Sequence, residues 1–279
     1  PGDHVCEPCI LGKSHLHPLR TSSNPRTGPS DAVVSDLSGK ITPAVNGEQY
    51  AHLMVHLDTD VALLGFVERK SDVPALVKEQ LREMERQGGR PVKIFRSDRG
   101  GEYANYELKD WLWANGIQHQ MALPYLPQQK GAGESTWRGL WARTRAVLLE
   151  SGLPADYWTY AAGYVNDCRN ALLVSGGTTT PYERFYGRKP DLSRFKPFGC
   201  IGYAHIPYET RGAGSKLEPR AEKCRFLGFN ESEKGWVMLM SNGEVIVSQS
   251  VVFDEASPTP AAAAQPLRLT ETEEEPRLQ

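Results

Sequence analysis

The sequence predicts an α/β fold, a mixed five-stranded sheet flanked by helices, followed by a small all-β barrel. Three observations carry that expectation. Apolar runs between residues 31 and 150 follow the order βββαβαβα, the pattern changes after Phe198 to short strands only, and Asn242-Gly243 is a pair that closes tight hairpins. The 279 residues amount to about two domains, enough to bury a core.

The elements follow in order. Strands are expected over 32–37, 50–57 and 61–68, each short and rich in Val, Leu or aromatic residues. Ser71 and Asp72 can cap a helix to about Gln87, with Leu76, Leu81 and Met84 near helical spacing, and Gly88-Gly89 stops it. A strand over 92–96, a helix over 105–115 ending at Gly116, a strand over 117–122 and a long helix over 129–150 complete the sheet and its cover. Pro154 opens a further helix to about Leu172, with Trp158, Ala161, Ala162 and Val165 on its apolar face. Beyond it come strands over 200–206, 224–229, 236–240 and 245–253.

This divides the chain into a cysteine-bearing arm (1–20), a Ser/Thr/Pro/Gly linker (21–30), an α/β domain with its following helix (31–175), a small β domain (188–255) and a Pro/Ala/Glu-rich tail (256–279) too poor in apolar residues to order itself. Pro1 is not followed by a charged and then an apolar region, so no secretory signal is expected and the sequence reads as cut from something longer. The longest apolar stretch, 61–67, is far short of the roughly 20 residues of a membrane span. Five dispersed cysteines suit a reducing compartment. The net charge of −2 is carried by the tail, where four Glu face two Arg, so a local basic face elsewhere is neither required nor excluded.

Three acidic residues stand at telling places: Asp36 in the first strand, Asp98 at the end of VKIFRSD, and Glu134 early in the long helix. Between Asp98 and Glu134 lie 35 residues, holding a helix, a strand and a Gly/Pro/Gln-rich loop, so the chain can return Glu134 to the strand end that carries Asp98. Converging carboxylates repel and need cations, and hard oxygen donors select Mg²⁺ or Mn²⁺. Two such ions ~4 Å apart would hold both oxygens of an in-line phosphoryl transfer.

RSDRGGEY (96–103) and PYLPQQKGAGESTWRGLWARTRAVL (124–148) resemble the integrase of Ty1/copia-type retrotransposons, with its Asp, Asp, 35 residues, Glu triad on an RNase H-like fold. Cys6-Glu-Pro-Cys9 with Gly12-Lys13 resembles the end of that family's zinc-binding arm, and LPADYWTYAAGYVNDCRN the helix after its core. KPDLSRFKPFGCIGYAHIP, AEKCRFLGFNESEKGW and VVFDE resemble the SH3-like barrel that follows. The likeness covers residues 6–255. Lys130 stands where the family usually has Asn and Ser135 where it has Arg, and the family's two zinc-binding His lie upstream of the first residue here.

The resemblance implies a fragment of a Pol polyprotein whose Asp36, Asp98 and Glu134 bind Mg²⁺ or Mn²⁺. It implies that the 3′-hydroxyl of element DNA attacks a target phosphodiester. The implied partners are element and target DNA and further copies of the chain, with action in the nucleus after a cytoplasmic particle. Gln128, Gln129, Lys130, Arg138 and Arg145 are the candidate DNA contacts. Lys130, Glu134, Arg138, Trp141 and Arg145 share one helical stripe, and Gly131 and Gly133 suit a loop that closes over DNA.

Plainer readings stand beside these. An acidic residue at a strand end is ordinarily a cap or a solvated turn, and Asp58 and Asp60 compete with Asp36, although Asp58-Thr59-Asp60 reads as a turn between two strands. Glu102 fits a helix N-terminal residue favoured by the macrodipole. Trp137 and Trp141 fit core contacts, and the basic stripe fits a solvated face. Cys6 and Cys9 make half a zinc site that His4, His15 and His17 are close enough to complete, while Cys168, Cys200 and Cys224 fit buried hydrophobes. The competing functions are a metal-dependent nuclease on the same fold and a decayed or repurposed copy that only binds DNA or protein.

Overall fold

The computed structural model describes residues 31–121, 131–173, 177–207 and 219–255, with the backbone alone at 131–135. The arm, the linker and the tail expected at the two ends lie outside the described residues.

The first sheet has strand order β3-β2-β1-β4-β5, formed by β1 (Ala32–Leu37), β2 (Tyr50–His56), β3 (Ala62–Val67), β4 (Ile94–Ser97) and β5 (Gln118–Met121). β1, β2 and β3 are joined by turns and pair antiparallel. β4 and β5 run parallel to β1 because α1 (Val73–Gly88) and α2 (Tyr106–Ala114) carry the chain back before each of them. α1 ends where Gly89 adopts φ +62°, the left-handed cap that the Gly-Gly pair predicts.

β2 is buried on both faces, and its alternate residues feed two cores. Met54 packs with Val77, Leu81, Phe95 and Leu108 on the α1/α2 side. Leu53 and Val55 pack with Leu140, Trp158 and Ala161 on the side covered by α3 (Gly131–Ser151) and α4 (Trp158–Ala171). Trp137 and Trp141 stack on each other with centroids 5.4 Å apart, and Trp141 meets Trp158 edge-on, so both are core residues as expected.

A short helix not anticipated from sequence, α5 (Pro181–Tyr186), follows α4. Its signals are all present: Thr180 caps the Glu183 N–H, Pro181 opens the first turn and Gly187 closes it at φ +67°. Six residues are too few for an apolar period to show.

The second sheet is wholly antiparallel, in the order β10-β6-β7-β8-β9. It comprises β6 (Ile201–His205), β7 (Ala221–Asn230), β8 (Gly235–Met240), β9 (Val245–Ser248) and β10 (Val251–Asp254). The single strand expected over 245–253 is two, because β9 pairs with β8 and β10 with β6 at the opposite edge. Gly243, at φ +88°, turns the chain between β8 and β9. Cys200 and Cys224 are buried among apolar residues, as expected. The sheet meets the end of α3 through Arg225, which donates to the carbonyls of Gly199 and Ser151.

Candidate active site

Asp36 lies on β1 opposite Leu53 of β2, on the sheet face that α3 covers. Its Oδ2 accepts the Trp137 indole N–H at 3.1 Å and its Oδ1 the Leu37 N–H at 3.1 Å. β1 and β4 pair in parallel with Val34 beside Arg96, and two residues further that register sets Asp36 level with Asp98, one residue past the end of β4. Asp98 Oδ1 accepts the Gly100 N–H at 2.9 Å, which folds the loop back upon it. Glu102 closes the same loop. A Cβ at Gly100 would lie 2.5 Å from its carboxylate, the end of a flexible side chain that can move aside.

Beneath this loop Tyr103 is 1% exposed, with its hydroxyl 3.0 Å from Ser35 Oγ. Burial raises its phenol far above the ordinary range. The charges of Asp36, Asp98 and Glu102 push the same way, and the Ser35 hydrogen bond opposes. Ser35 Oγ also lies 2.6 Å from His52 Nε2, and His52 Nδ1 lies 2.6 Å from Gln80 Oε1 of α1. The chain Tyr103–Ser35–His52–Gln80 thus crosses three elements and fixes the floor of the carboxylate loop.

His52 is fully buried, and desolvation holds its imidazole down to about 4, with the Gln80 hydrogen bond opposing. The unfolded chain therefore takes up a proton below about 6.5 that the folded chain refuses until about 4. Stability is lost as pH falls through that window, by about 1.4 kcal/mol per unit and about 3 kcal/mol in all. Denaturant unfolding at pH 7 and pH 5 should show a steeper loss in the wild type than in His52→Gln. Equal losses would contradict the assignment.

The competitors for the first acidic position fall elsewhere. Register pairs His56 with Val33, so Asp58 and Asp60 sit at the opposite end of β1 from Asp36. Asp58 meets Arg90 at 3.6 Å, and Asp60, at φ +63°, accepts Arg169 at 2.9 Å, in the expected turn. The reading of Glu102 as a helix residue is corrected: α2 begins at Tyr106 with Asn105 as its cap, and Glu102 belongs to the Asp98 loop.

Glu134 is in the first turn of α3, three residues ahead of Trp137. The Trp137–Asp36 bond therefore docks the helical turn after Glu134 onto β1. The side chain of Glu134 lies outside the described residues, as do Gln128, Gln129, Lys130, Cys6 and Cys9. Arg138 and Arg145 are exposed on α3, whereas Trp141 of the same stripe turns into the core. Among the described residues no three His, Cys, Asp or Glu side chains form a metal cluster. Sequence reasoning missed Trp137 as a partner of Asp36 and Tyr103 as the buried floor. The i, i+3 relation of Trp137 to Glu134 was the available signal.

The retroviral polymerase SH3-like domain family matches residues 200–266. Over 266 residues, 92% of the chain, the sequence is 29% identical to the retrovirus-related Pol polyprotein from transposon TNT 1-94 of Nicotiana tabacum. It is 27% identical over 90% of the chain to the corresponding polyprotein from transposon RE2 of Arabidopsis thaliana. The chain spans about a fifth of these relatives, 19% and 17% of their lengths. A truncated Ty1-A Gag-Pol polyprotein of Saccharomyces cerevisiae is 24% identical over 85% of the chain. Among solved structures, a simian T-cell lymphotropic virus intasome in complex with a PP2A regulatory subunit has a TM-score of 0.48 at 18% identity, over 82% of this chain and 79% of that one. From its α/β sheet to its antiparallel sheet, the chain is a homologue of the Pol polyproteins of plant copia-type and Ty1 transposons.

Proposed function

We propose that the chain is the integrase segment of such a polyprotein and catalyses strand transfer, with Asp36, Asp98 and Glu134 as its catalytic carboxylates. One observation carries the reading. The Trp137 indole bonds Asp36, which the β1/β4 register sets level with Asp98, and so docks the helix that bears Glu134 onto β1. The donor set fits a hard divalent cation. It is all carboxylate oxygen, Asp98 and Glu102 form no ion pair with Lys or Arg among the described residues, and Asp98 Oδ2 has no hydrogen bond there.

Asp36 and Asp98, with Glu134, would hold Mg²⁺ or Mn²⁺, which when bound neutralises charge at the reacting phosphate and acidifies the attacking 3′-hydroxyl. Trp137 and the Gly100 N–H each hold one oxygen of Asp36 and of Asp98, so the two carboxylates need little reorganisation as the reaction proceeds. Incubation of the protein with labelled element-end DNA, target DNA and Mg²⁺ should give joined products that EDTA abolishes. Cleavage without joining would favour the nuclease reading, and binding without either reaction the repurposed copy.

The same reading places DNA along the exposed face of α3. Replacing Arg138 by Ala should weaken binding to all duplexes alike and flatten the slope of log affinity against log salt by about one unit. Parallel salt lines for wild type and variant would remove this face from the DNA surface. Exposure of Arg138 and Arg145 agrees with both a DNA contact and a solvated face, and the slope separates the two.

A further inference from the structure

β3 is the outer strand of the first sheet. Val61 bonds inward, accepting the His56 N–H at 2.9 Å, so the two-residue period turns the N–H and C=O of Ala62 and Leu64 outward. At Ala62 both are taken: Asn170 Oδ1 accepts its N–H at 3.0 Å, and Asn166 and Asn170 donate to its carbonyl at 2.9 and 2.8 Å. At Leu64 neither has a partner among the described residues. Leu64 lines a groove of about 710 Å³ that runs between α1 and α4 and ends against α5 and the turn after β7.

Two amide side chains in the groove wall are each left one bond short. Gln80, 3% exposed, accepts at Oε1 from His52 but has no partner for Nε2 among the described residues; Asn166, 4% exposed, donates from Nδ2 to Ala62 but has none there for Oδ1. A buried amide atom without a bond is costly, so each atom favours a ligand group that completes it. Asp167, half-buried on α4, lines the same groove without a hydrogen bond or ion pair among the described residues. Burial pushes its carboxyl up to about 7, with Glu231 adding to the effect and Arg194 opposing it.

The cations nearby are committed or peripheral. Arg194 is bonded to Glu231 and lies over the rings of Tyr182, Phe195 and Phe229, Arg188 lies over Tyr182, and Arg86 is exposed on α1. Glu79 and Glu83 on the α1 wall have no ion pair among the described residues. The unmet demand of the groove is thus one donor and one acceptor from Leu64, one of each from the amides, and a positive charge.

We propose that this groove binds an extended, basic peptide segment of another protein, which adds to the outer edge of β3 at Leu64 and sets a lysine or arginine on Asp167. An extended main chain supplies both donors and acceptors to a strand edge, and specificity comes from the side chain that enters the pocket. The site shares no residue with the proposed metal ligands, so either reading can fail without the other.

The test uses the capped peptide acetyl-Thr-Val-Ser-Val-Lys-Val-Ser-Thr-amide and its counterpart with Glu in place of Lys. Calorimetry should show the Lys peptide binding at least about tenfold more tightly, as expected for one charge-assisted contact, and amide NMR should show the Leu64 N–H shifting. Asp167→Asn should erase the difference between the two peptides, and N-methylation of the Lys peptide's central amides should remove binding. Equal affinity of the two peptides, an unmoved Leu64 amide, or no binding of the Lys peptide to the folded wild type would each overturn the proposal. The peptide pair decides the matter even if Asp167→Asn does not fold.

Discussion

Asp36→Asn, Asp98→Asn and Glu134→Gln should each lower strand transfer on the order of 10³-fold while leaving duplex binding nearly intact. Each amide keeps the volume of the carboxyl group but loses the charge that holds a divalent cation, and a lost metal contact to the transition state costs several kcal/mol. The expected loss is in joining rate at saturating DNA, with little change in affinity. Asp58→Asn is the matched control. Asp58 meets Arg90 at the far end of β1, so its variant should join DNA at close to the wild-type rate. Wild-type activity in any of the three carboxylate variants would remove that residue from the site.

Trp137 should separate packing from positioning. Its ring is 8% exposed, stacks on Trp141 and belongs to the core between the sheet and α3, while its N–H holds Asp36. Trp137→Ala should therefore cost about 3–5 kcal/mol of stability. Trp137→Phe retains most of the packing and deletes the bond, so it should cost about 1 kcal/mol yet still slow strand transfer by about tenfold, and raise the Mg²⁺ concentration needed for half-maximal rate. An unchanged Mg²⁺ requirement in Trp137→Phe would reduce the residue to a core contact.

Much of this architecture was legible in the sequence because its signals are local. The alternating strands, the Gly88-Gly89 stop and the Asn242-Gly243 turn need no tertiary information, and each falls where the residues place it. α5 was not legible, because a six-residue helix is defined by its caps and not by a period. The division of 245–253 into β9 and β10 depends on which strands pair at the two edges of the second sheet, which no local run records.

The candidate site divides in the same way. The level positions of Asp36 and Asp98 follow from two strand ends on neighbouring parallel strands. The Trp137–Asp36 bond spans 101 residues and the Ser35–Tyr103 contact 68, so neither has a local signature. Glu102 was misread because an acidic residue shortly before a helix fits the macrodipole, whereas here it lies in the turn that follows Asp98, ahead of the Asn105 cap.

The central claim is that folding brings Asp36, Asp98 and Glu134 together to hold divalent metal. Anomalous diffraction from crystals of the protein grown with Mn²⁺ tests it directly. The account predicts an anomalous peak bridging the Asp36 and Asp98 carboxylates at about 2.2 Å from their oxygens, with Glu134 reaching the same cluster. A Mn²⁺ peak elsewhere with none at these residues, or a Glu134 carboxyl more than roughly 10 Å from the other two, would contradict it.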